Sequence, residues 1–233
     1  MSHDLRTPMN AIIGYTALME KHWGEKEVTA GYLQKLKEAG NFLMDLIGNI
    51  LEVARIESGK ETLTETAWNL CNLEDTLDLL LDRDIYKKQL TLKKNMELQH
   101  PKVYCDVLKI QEITMNLLSN AVKYTPEGGT IHFTIRELPY EREGYALFQT
   151  VVEDTGIGIS KEYIPHLFEA FSREKSSSES GIIGTGLGLR IVKKFVDLME
   201  GSIVVESEIG EGTRFTVTIC LLYTSPSPRD TER

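Results

Sequence analysis

The first sixty positions of the chain carry apolar side chains at helical spacing, in two separate runs. The first run begins at Leu5 and is interrupted at Gly24, and the second begins at Leu33 and stops near Ser58-Gly59. Such spacing predicts two amphipathic helices joined as a hairpin. Two helices alone cannot enclose their apolar seam, so we expect two copies to form a dimeric four-helix bundle. The alternative is that the hairpin packs on the rest of its own chain.

After about Lys60 the pattern changes to short β-rich runs mixed with helices, which predicts a second, α/β domain. Strands are predicted at Thr130–Leu138 and Tyr145–Glu153, helices at Val107–Tyr124 and Leu187–Met199, and a β-hairpin around Gly210-Glu211-Gly212.

Charge and cysteine content exclude several classes of protein. The chain has 233 residues and a formal net charge of −9, which argues against nonspecific binding to nucleic acid or to an anionic membrane surface. Cys71, Cys105 and Cys220 are widely spaced and odd in number, so neither a disulfide framework nor a zinc site is predicted. No apolar run is long enough to span a bilayer, and we expect a soluble, cytoplasmic segment.

A polar stripe follows one face of the predicted helix at Val107–Tyr124. Glu112, Asn116, Asn120 and Lys123 are spaced by four, four and three positions, so their side chains share that face. Asparagine costs roughly 0.5 kcal/mol or more relative to alanine inside a helix, so two of them suggest a function. Oxygen ligands suit Mg²⁺ and a lysine suits phosphate, although an ordinary solvated face would look the same.

Two glycine-rich segments follow predicted strands or open helices. In EDTGIGIS, Asp154 precedes Gly156 and Gly158, which would let the backbone approach a ligand while Asp154 accepts a hydrogen bond from an exocyclic amine. Any tight turn after a strand can look similar. In GTGLGLRIV, three glycines lead into a helix, and free N–H groups at a helix start favour an anion. The spacing fits neither a dinucleotide fingerprint nor a Walker loop.

The chain begins with MSHDLRTPMN, which places His3 beside Asp4 at the start of the first helical run. By itself this histidine is equally a nucleophile, a metal ligand or a filler. Thr7 follows one helical turn after His3, so we expect both side chains on the same side of the helix. Thr7 then either acts together with His3 or is a simple hydroxyl on the helix surface.

Five segments taken together resemble the motif boxes of a known family. In order they are SHDLRTP, NLLSNAVKY, DTGIGIS, FEAFSR and GTGLGLRIV. They resemble the H, N, G1, F and G2 boxes of bacterial two-component sensor histidine kinases, and the resemblance covers Met1–Ile219. It implies a dimerisation and phosphotransfer hairpin followed by the two-layer α/β sandwich of the gyrase and Hsp90 ATPases. The predicted domains are the hairpin at 1–58, the ATP-binding domain at 59–219 and a tail at 220–233.

The resemblance also implies roles for particular residues. His3 would be phosphorylated, Asp4 would orient its ring and help remove its proton, and Thr7 would align water for dephosphorylating a response regulator. Asn116, helped by Glu112, would hold Mg²⁺. The expected contacts to ATP come from Asn120, Lys123, Tyr124, Asp154, Gly156, Gly158, Arg173, Gly184, Gly186, Leu187, Gly188 and Thr213.

The implied activity is ATP-dependent autophosphorylation of His3 and transfer of the phosphoryl group to a response-regulator aspartate, with Ser58-Gly59-Lys60 as the hinge. The implied partners are a second copy of the chain and a receiver domain. Two alternative functions are disfavoured. A relative of the ATPase chaperones and DNA repair proteins would lack the H box, which this chain has. A degenerate kinase that only binds partners would not need to keep the nucleotide-binding residues, which this chain also has. The sequence is expected to be the cytoplasmic part of a longer sensor, with an internal methionine at Met1, and its motifs resemble those of hybrid kinases.

The last segment, CLLYTSPSPRDTER, matches nothing in that family. One codon choice for its first eleven residues resembles a transposase adapter used in sequencing libraries, which predicts a non-native tail without packing partners. A disordered native terminus is the alternative, because serine and proline are typical of one.

Overall fold

The computed structural model describes residues 2–59, 61–172 and 184–223, with the side chains of residues 2–4 and 79–80 excepted. The chain divides into two compact units. The first unit comprises Met1–Glu61 and Glu169–Arg190, and the second comprises Thr62–Phe168 and Ile191–Arg233.

The predicted helical hairpin is confirmed in the first unit. Its helices are α1 (Ser2–Lys21) and α2 (Lys26–Glu57), which begins well before the apolar run that predicted it. In the bend between them, His22 Nδ1 lies 2.8 Å from Glu25 Oε1. The predicted stop at Ser58-Gly59 is also confirmed, because Ser58 caps α2 and Gly59 follows with a φ of +65°.

The second unit mixes helices and strands, as predicted. Its elements are β1 (Thr66–Asn69), α3 (Asn72–Lys87), β2 (Thr91–Glu97), β3 (Lys102–Cys105), α4 (Val107–Tyr124), β4 (Thr130–Leu138), β5 (Tyr145–Asp154), a 3₁₀ turn (Ile164–His166), α5 (Gly188–Leu198), β6 (Ser202–Glu208) and β7 (Gly212–Tyr223). Helix α5 begins in the first unit and continues in the second. The sequence predicted α4 and β4 at their observed bounds but none of the four elements between Thr66 and Cys105.

Seven strands form one open sheet in the order β1-β3-β7-β5-β4-β2, and β6 also pairs with β7. Among the strands that the structure describes, β2 and β4 run parallel and the other pairs are antiparallel. The pairing of β5 with β7 extends from Tyr145 opposite Leu222 to Asp154 opposite Thr213. The predicted β-hairpin is β6–β7, with its turn at the expected glycines.

The core of this unit lies between one face of the sheet and its helices. Inward-facing positions alternate with outward ones along the strands, as half-buried strands require. The buried apolar positions on β4, β5 and β7 are Ile131, Phe133, Ile135, Ala146, Phe148, Val152, Phe215, Val217, Ile219 and Leu221. Helix α4 adds Ile110, Ile113, Leu117 and Ala121, and α5 adds Ile191, Val192, Phe195 and Val196.

The prediction that Cys220–Arg233 has no packing partner is wrong for its first four residues. Strand β7 continues to Tyr223, with Cys220 paired opposite Leu147 and Leu221 opposite Ala146. The inward alternation that starts at Phe215 reaches Leu221, which is 6% exposed. Residues 224–233 lie outside the described part of the chain, and their origin stays a prediction.

Within the described residues, no helix is both long enough and apolar enough to cross a membrane.

Candidate functional site

Helix α4 begins at a buried capping residue. Asp106 Oδ1 accepts a hydrogen bond from the Lys109 N–H at 3.2 Å, as an N-cap does. Its other oxygen accepts from the Thr64 N–H at 2.9 Å, so the segment that enters this unit is tied to the same cap. The apolar face of α4 packs into the core, which leaves the polar stripe on the opposite, partly exposed face.

Within the stripe, Asn116 is held by its own helix. Its Nδ2 donates to the Glu112 carbonyl oxygen at 3.0 Å, which leaves Oδ1 as the amide atom suited to a cation. Further along, Lys123 Nζ lies 5.0 Å from the centroid of the Tyr124 ring. Asn120 is partly exposed between them. In the described part of the chain, no group of three or more His, Cys, Asp or Glu could hold a metal ion. A cation on the stripe would therefore need amide or ligand oxygens in addition to any carboxylate oxygen.

Asp154 ends β5 with its carboxylate buried. Oδ1 accepts a hydrogen bond from the Gly156 N–H at 2.8 Å, and the residue is only 7% exposed. Burial raises the pKa of Asp154 to about 6, because the backbone N–H groups of Gly156 and Thr213 offset only part of the lost hydration. A buried carboxyl with a strongly shifted pKa is a common feature of functional sites.

The two glycines after Asp154 pack against protein backbone. A Cβ at Gly156 would lie 2.5 Å from Asp154 Oδ1 and 2.8 Å from the Tyr124 carbonyl oxygen. Gly158 has a φ of +69°, and a Cβ there would overlap the Glu208 carbonyl. The sequence suggested that these glycines let the backbone approach a ligand. The structure shows that they let the backbone of the turn pack against other backbone of the protein. They let the Asp154 turn lie directly against the ends of α4 and β6.

Thr213 lies beside this turn in a short hydroxyl network that includes a residue the sequence analysis missed. Ser207 Oγ lies 2.8 Å from Thr213 Oγ1, donates to the Gly212 carbonyl and accepts from the Ile159 N–H at 2.9 Å. Ser207 could have been noticed in the sequence, because it is a polar residue on the same inward-facing side of β6 as Ile203 and Val205.

The glycine loop belongs to the first unit as far as Arg190. Gly184 precedes Gly186, whose φ is +68° and whose carbonyl accepts the Phe171 N–H at 3.0 Å. Leu187 is buried, and Gly188 opens α5 as the glycine-loop pattern predicts. Arg173 lies outside the described residues.

Helix α1 contains the candidate phosphoacceptor segment. His3 and Asp4 lie in its first turn, and their side chains are outside the described part of the structure. Thr7 is exposed one turn later. The structure therefore brings together Asp154, Gly156, Tyr124 and Thr213 in the second unit, while His3 and the glycine loop belong to the first.

Two family models match the chain. The model described as "Histidine kinase-, DNA gyrase B-, and HSP90-like ATPase" matches residues 105–222, and "His Kinase A (phospho-acceptor) domain" matches residues 1–59. Among curated proteins, the sensor protein GacS of Pseudomonas syringae pv. syringae is 37% identical over 226 residues, which is 95% of this chain and 24% of GacS. The chain thus spans about a quarter of the length of this relative.

Solved structures share the fold. Full-length ShkA in complex with AMPPNP superposes with a TM-score of 0.71 at 24% identity, covering 97% of this chain and 45% of ShkA. Histidine kinase ThkA in complex with response regulator protein TrrA gives a TM-score of 0.69 at 24% identity, covering 100% of this chain and 61% of the matched chain. The ordered motifs, the two matched models and the shared fold agree, and the chain belongs to the sensor histidine kinases, with their phosphoacceptor hairpin and their gyrase- and Hsp90-like ATP-binding domain.

Proposed function

We propose that this chain is an ATP-dependent protein-histidine kinase that phosphorylates His3 and passes the phosphoryl group to an aspartate of a response regulator. The observation that carries the proposal is the buried Asp154 carboxylate, held beside the end of α4 by the Gly156 turn. Such a carboxylate gains a partner when it accepts a hydrogen bond from the exocyclic amine of adenine. Thr213 completes this contact, with Tyr124 beside the nucleoside.

The phosphates of ATP lie along the polar stripe in this proposal. Asn120 and Lys123 bind phosphate oxygens, and Asn116 with Glu112 holds Mg²⁺ through side-chain oxygens, a donor set that this ion prefers. The bound ion supplies charge neutralisation. The N–H groups of the glycine loop at Gly184–Gly188 close over the triphosphate, and Arg173 binds the γ-phosphate.

The phosphoryl step needs a positioned nucleophile and little else from the protein. A ring nitrogen of His3 attacks the γ-phosphorus, the N–P bond forms, and the bond to the β,γ-bridging oxygen breaks as ADP leaves with the electron pair. Asp4 accepts a hydrogen bond from the N–H of the other ring nitrogen, and this bond fixes the tautomer. The Asp4 carboxylate then takes up that proton as the N–P bond forms. The neutral form of the His3 ring supplies the lone pair for this attack. The hinge at Ser58-Gly59-Lys60 moves the ATP-binding domain to His3.

A second copy of the chain is the proposed partner of the hairpin. Large apolar side chains on both helices are exposed, and Ile13 and Met44 remain 64% and 69% accessible. The others are Met9, Leu18, Val28, Leu33, Ile47 and Leu51. Pairing two hairpins as a four-helix bundle would cover this seam.

The receiver domain of a response regulator is the second proposed partner. Its aspartate attacks phosphohistidine, so that the N–P bond breaks and an acyl phosphate forms. Thr7 is an exposed residue one turn after His3 on α1, which favours a second activity in which its hydroxyl aligns water to hydrolyse that acyl phosphate. We propose that the chain is the cytoplasmic part of a longer sensor.

Incubation with ATP labelled at the γ-phosphate tests this function. The chain should acquire acid-labile, base-stable label, and His3→Gln should lose the label while it still binds ATP. Label that persists in His3→Gln would contradict the assignment of His3. A protein that hydrolyses ATP without labelling itself would be an ATPase of the chaperone type, and one that binds ATP without either reaction would be a degenerate kinase.

A further inference from the structure

Lys88, which follows α3, makes three hydrogen bonds to the end of a different helix, α4. Its Nζ lies 2.7 Å from the Val122 carbonyl oxygen, 2.8 Å from that of Lys123 and 3.0 Å from that of Thr125. An ammonium has three N–H donors, so this arrangement uses all of them. The last carbonyls of a helix have no partner within the helix and carry partial negative charge, so a cation is favoured there.

The remaining carbonyl of this turn, that of Tyr124, has a different partner. It accepts a hydrogen bond at 3.3 Å from the N–H of Ile157, which lies in the turn that carries Asp154. The close approach at Gly156 involves the same oxygen. The carbonyls of residues 122–125 are therefore divided, three to Lys88 and one to the Asp154 turn.

The backbone of Lys88 also anchors the loop after α4. Its carbonyl accepts the Gly128 N–H at 3.0 Å, and the Thr91 N–H nearby donates to the Gly129 carbonyl at 2.9 Å. Burial lowers the pKa of the Lys88 ammonium, and the Asp84 carboxylate opposes this only in part. Lys88 is thus a partly buried lysine whose side chain and backbone both hold the segment between α4 and β4.

We propose that Lys88 is a positioning residue for nucleotide binding, because its ammonium fixes the last turn of α4 in the orientation that joins Lys123 and Tyr124 to the Asp154 turn. This inference rests on the proposed function. Within the described part of the chain, Lys88 bonds to backbone carbonyls of α4 and of its C-cap, Thr125, and to none of the side chains proposed to touch ATP. Its loss should therefore weaken ATP binding and leave the rate of the phosphoryl step at saturating ATP unchanged.

The test compares Lys88→Met with Lys87→Met, a matched change at the exposed neighbouring lysine. Calorimetry measures the Kd for ATP, and autophosphorylation kinetics give KM and kcat. Lys88→Met should raise Kd and KM roughly tenfold, the range expected when a cation is lost from a helix end, with kcat within about twofold. Lys87→Met should leave all three unchanged. Equal effects of the two substitutions, or a fall in kcat at constant KM, would overturn the inference.

A chemical rescue separates the ammonium from the packing of its alkyl chain. Propylammonium should restore part of the ATP affinity of Lys88→Ala, because it supplies three N–H donors to the vacated carbonyls. Tetramethylammonium has the charge but no donor and should restore none. Equal rescue by both cations, or none by propylammonium, would contradict the proposed role.

Hydrogen exchange distinguishes failure of this inference from failure of the proposed function. If the unmodified chain binds no ATP, the proposed function fails. The inference is then still decided by the Ile157 amide, which should exchange faster in Lys88→Met than in Lys87→Met. If Lys88→Met does not fold, Lys88→Gln replaces it; this side chain keeps two donors but no charge, and an unchanged Ile157 exchange rate there overturns the inference.

Discussion

The Asp154 carboxylate accepts a hydrogen bond from the Gly156 N–H at 2.8 Å in a position that is almost fully buried. Desolvation outweighs this bond, so the pKa of Asp154 rises to about 6. A carboxylate in this position destabilises the free protein until a ligand donates to it. Binding and stability therefore make opposite demands on one side chain.

Asp154→Asn should stabilise the free chain at pH 7.5 while it abolishes ATP binding. Because the folded-state pKa lies above the unfolded value near 3.9, the folded chain loses stability as pH rises from about 4 to about 6, by about 3 kcal/mol in total. Asparagine removes that cost and keeps an oxygen for the Gly156 N–H. Urea unfolding should show a gain of up to about 3 kcal/mol at pH 7.5 and none at pH 4.

The matched change for this experiment is Glu153→Gln. Glu153 is half-buried, and its Oε1 lies 2.9 Å from Arg214 across the strands, so its substitution should alter stability by less than about 1 kcal/mol. If the Asp154→Asn protein is less stable than the unmodified chain at pH 7.5, the buried carboxylate does not destabilise the folded protein and the prediction is wrong.

Asn116→Ala should remove the contribution of Mg²⁺ to nucleotide affinity. Its oxygen is the proposed ligand, and a methyl group cannot replace it. The fold should persist, since alanine is favoured over asparagine in a helix by roughly 0.5 kcal/mol. Calorimetry with ADP should show tighter binding with Mg²⁺ than with EDTA for the unmodified chain, and equal binding for the variant. Ser119→Ala, at an exposed position of α4, is the control; a Mg²⁺ effect that survives in Asn116→Ala would disprove the assignment.

Gly212→Ala should destabilise the second unit far more than Gly210→Ala in the same β-turn. Both glycines have positive φ, +114° and +84°, so each substitution carries backbone strain of about 1–2 kcal/mol. A Cβ at Gly212 would also overlap the Asp154 carbonyl, whereas nothing lies within 4 Å at Gly210. We expect a loss above about 3 kcal/mol for Gly212→Ala in thermal unfolding. Similar losses for both would mean that backbone strain alone matters.

Leu221→Ala should cost about 2–4 kcal/mol, and Leu222→Ala less than about 1 kcal/mol. The two neighbours differ in exposure, 6% against 37%, because they point to opposite faces of β7. Denaturant unfolding of the two variants measures the difference. Equal, small effects would mean that the strand ends before Cys220 and that the tail begins where the sequence suggested.

Several features of this protein follow from local sequence. Period-3.6 patterning predicted the hairpin and α4 with its polar stripe, and short β-rich runs predicted β4, β5 and the β6–β7 hairpin. The order of the motif segments then indicated the family. The site assignments, including the role of Asp154, stay predictions, although the sequence identified the residue that the structure finds buried at the end of β5.

Tertiary structure decided what depends on residues far apart in the chain. The tail composition predicted no structure for Cys220–Tyr223, yet β5 supplies a paired strand and the core accepts Leu221. Nothing in the local sequence distinguishes Lys88 from a surface lysine, but in the fold it follows α3 and bonds to the end of α4. Periodicity and turn chemistry act over a few neighbouring residues, so they can be recognised along the sequence. Strand pairing and helix capping by a distant side chain are fixed only when the core brings those segments together.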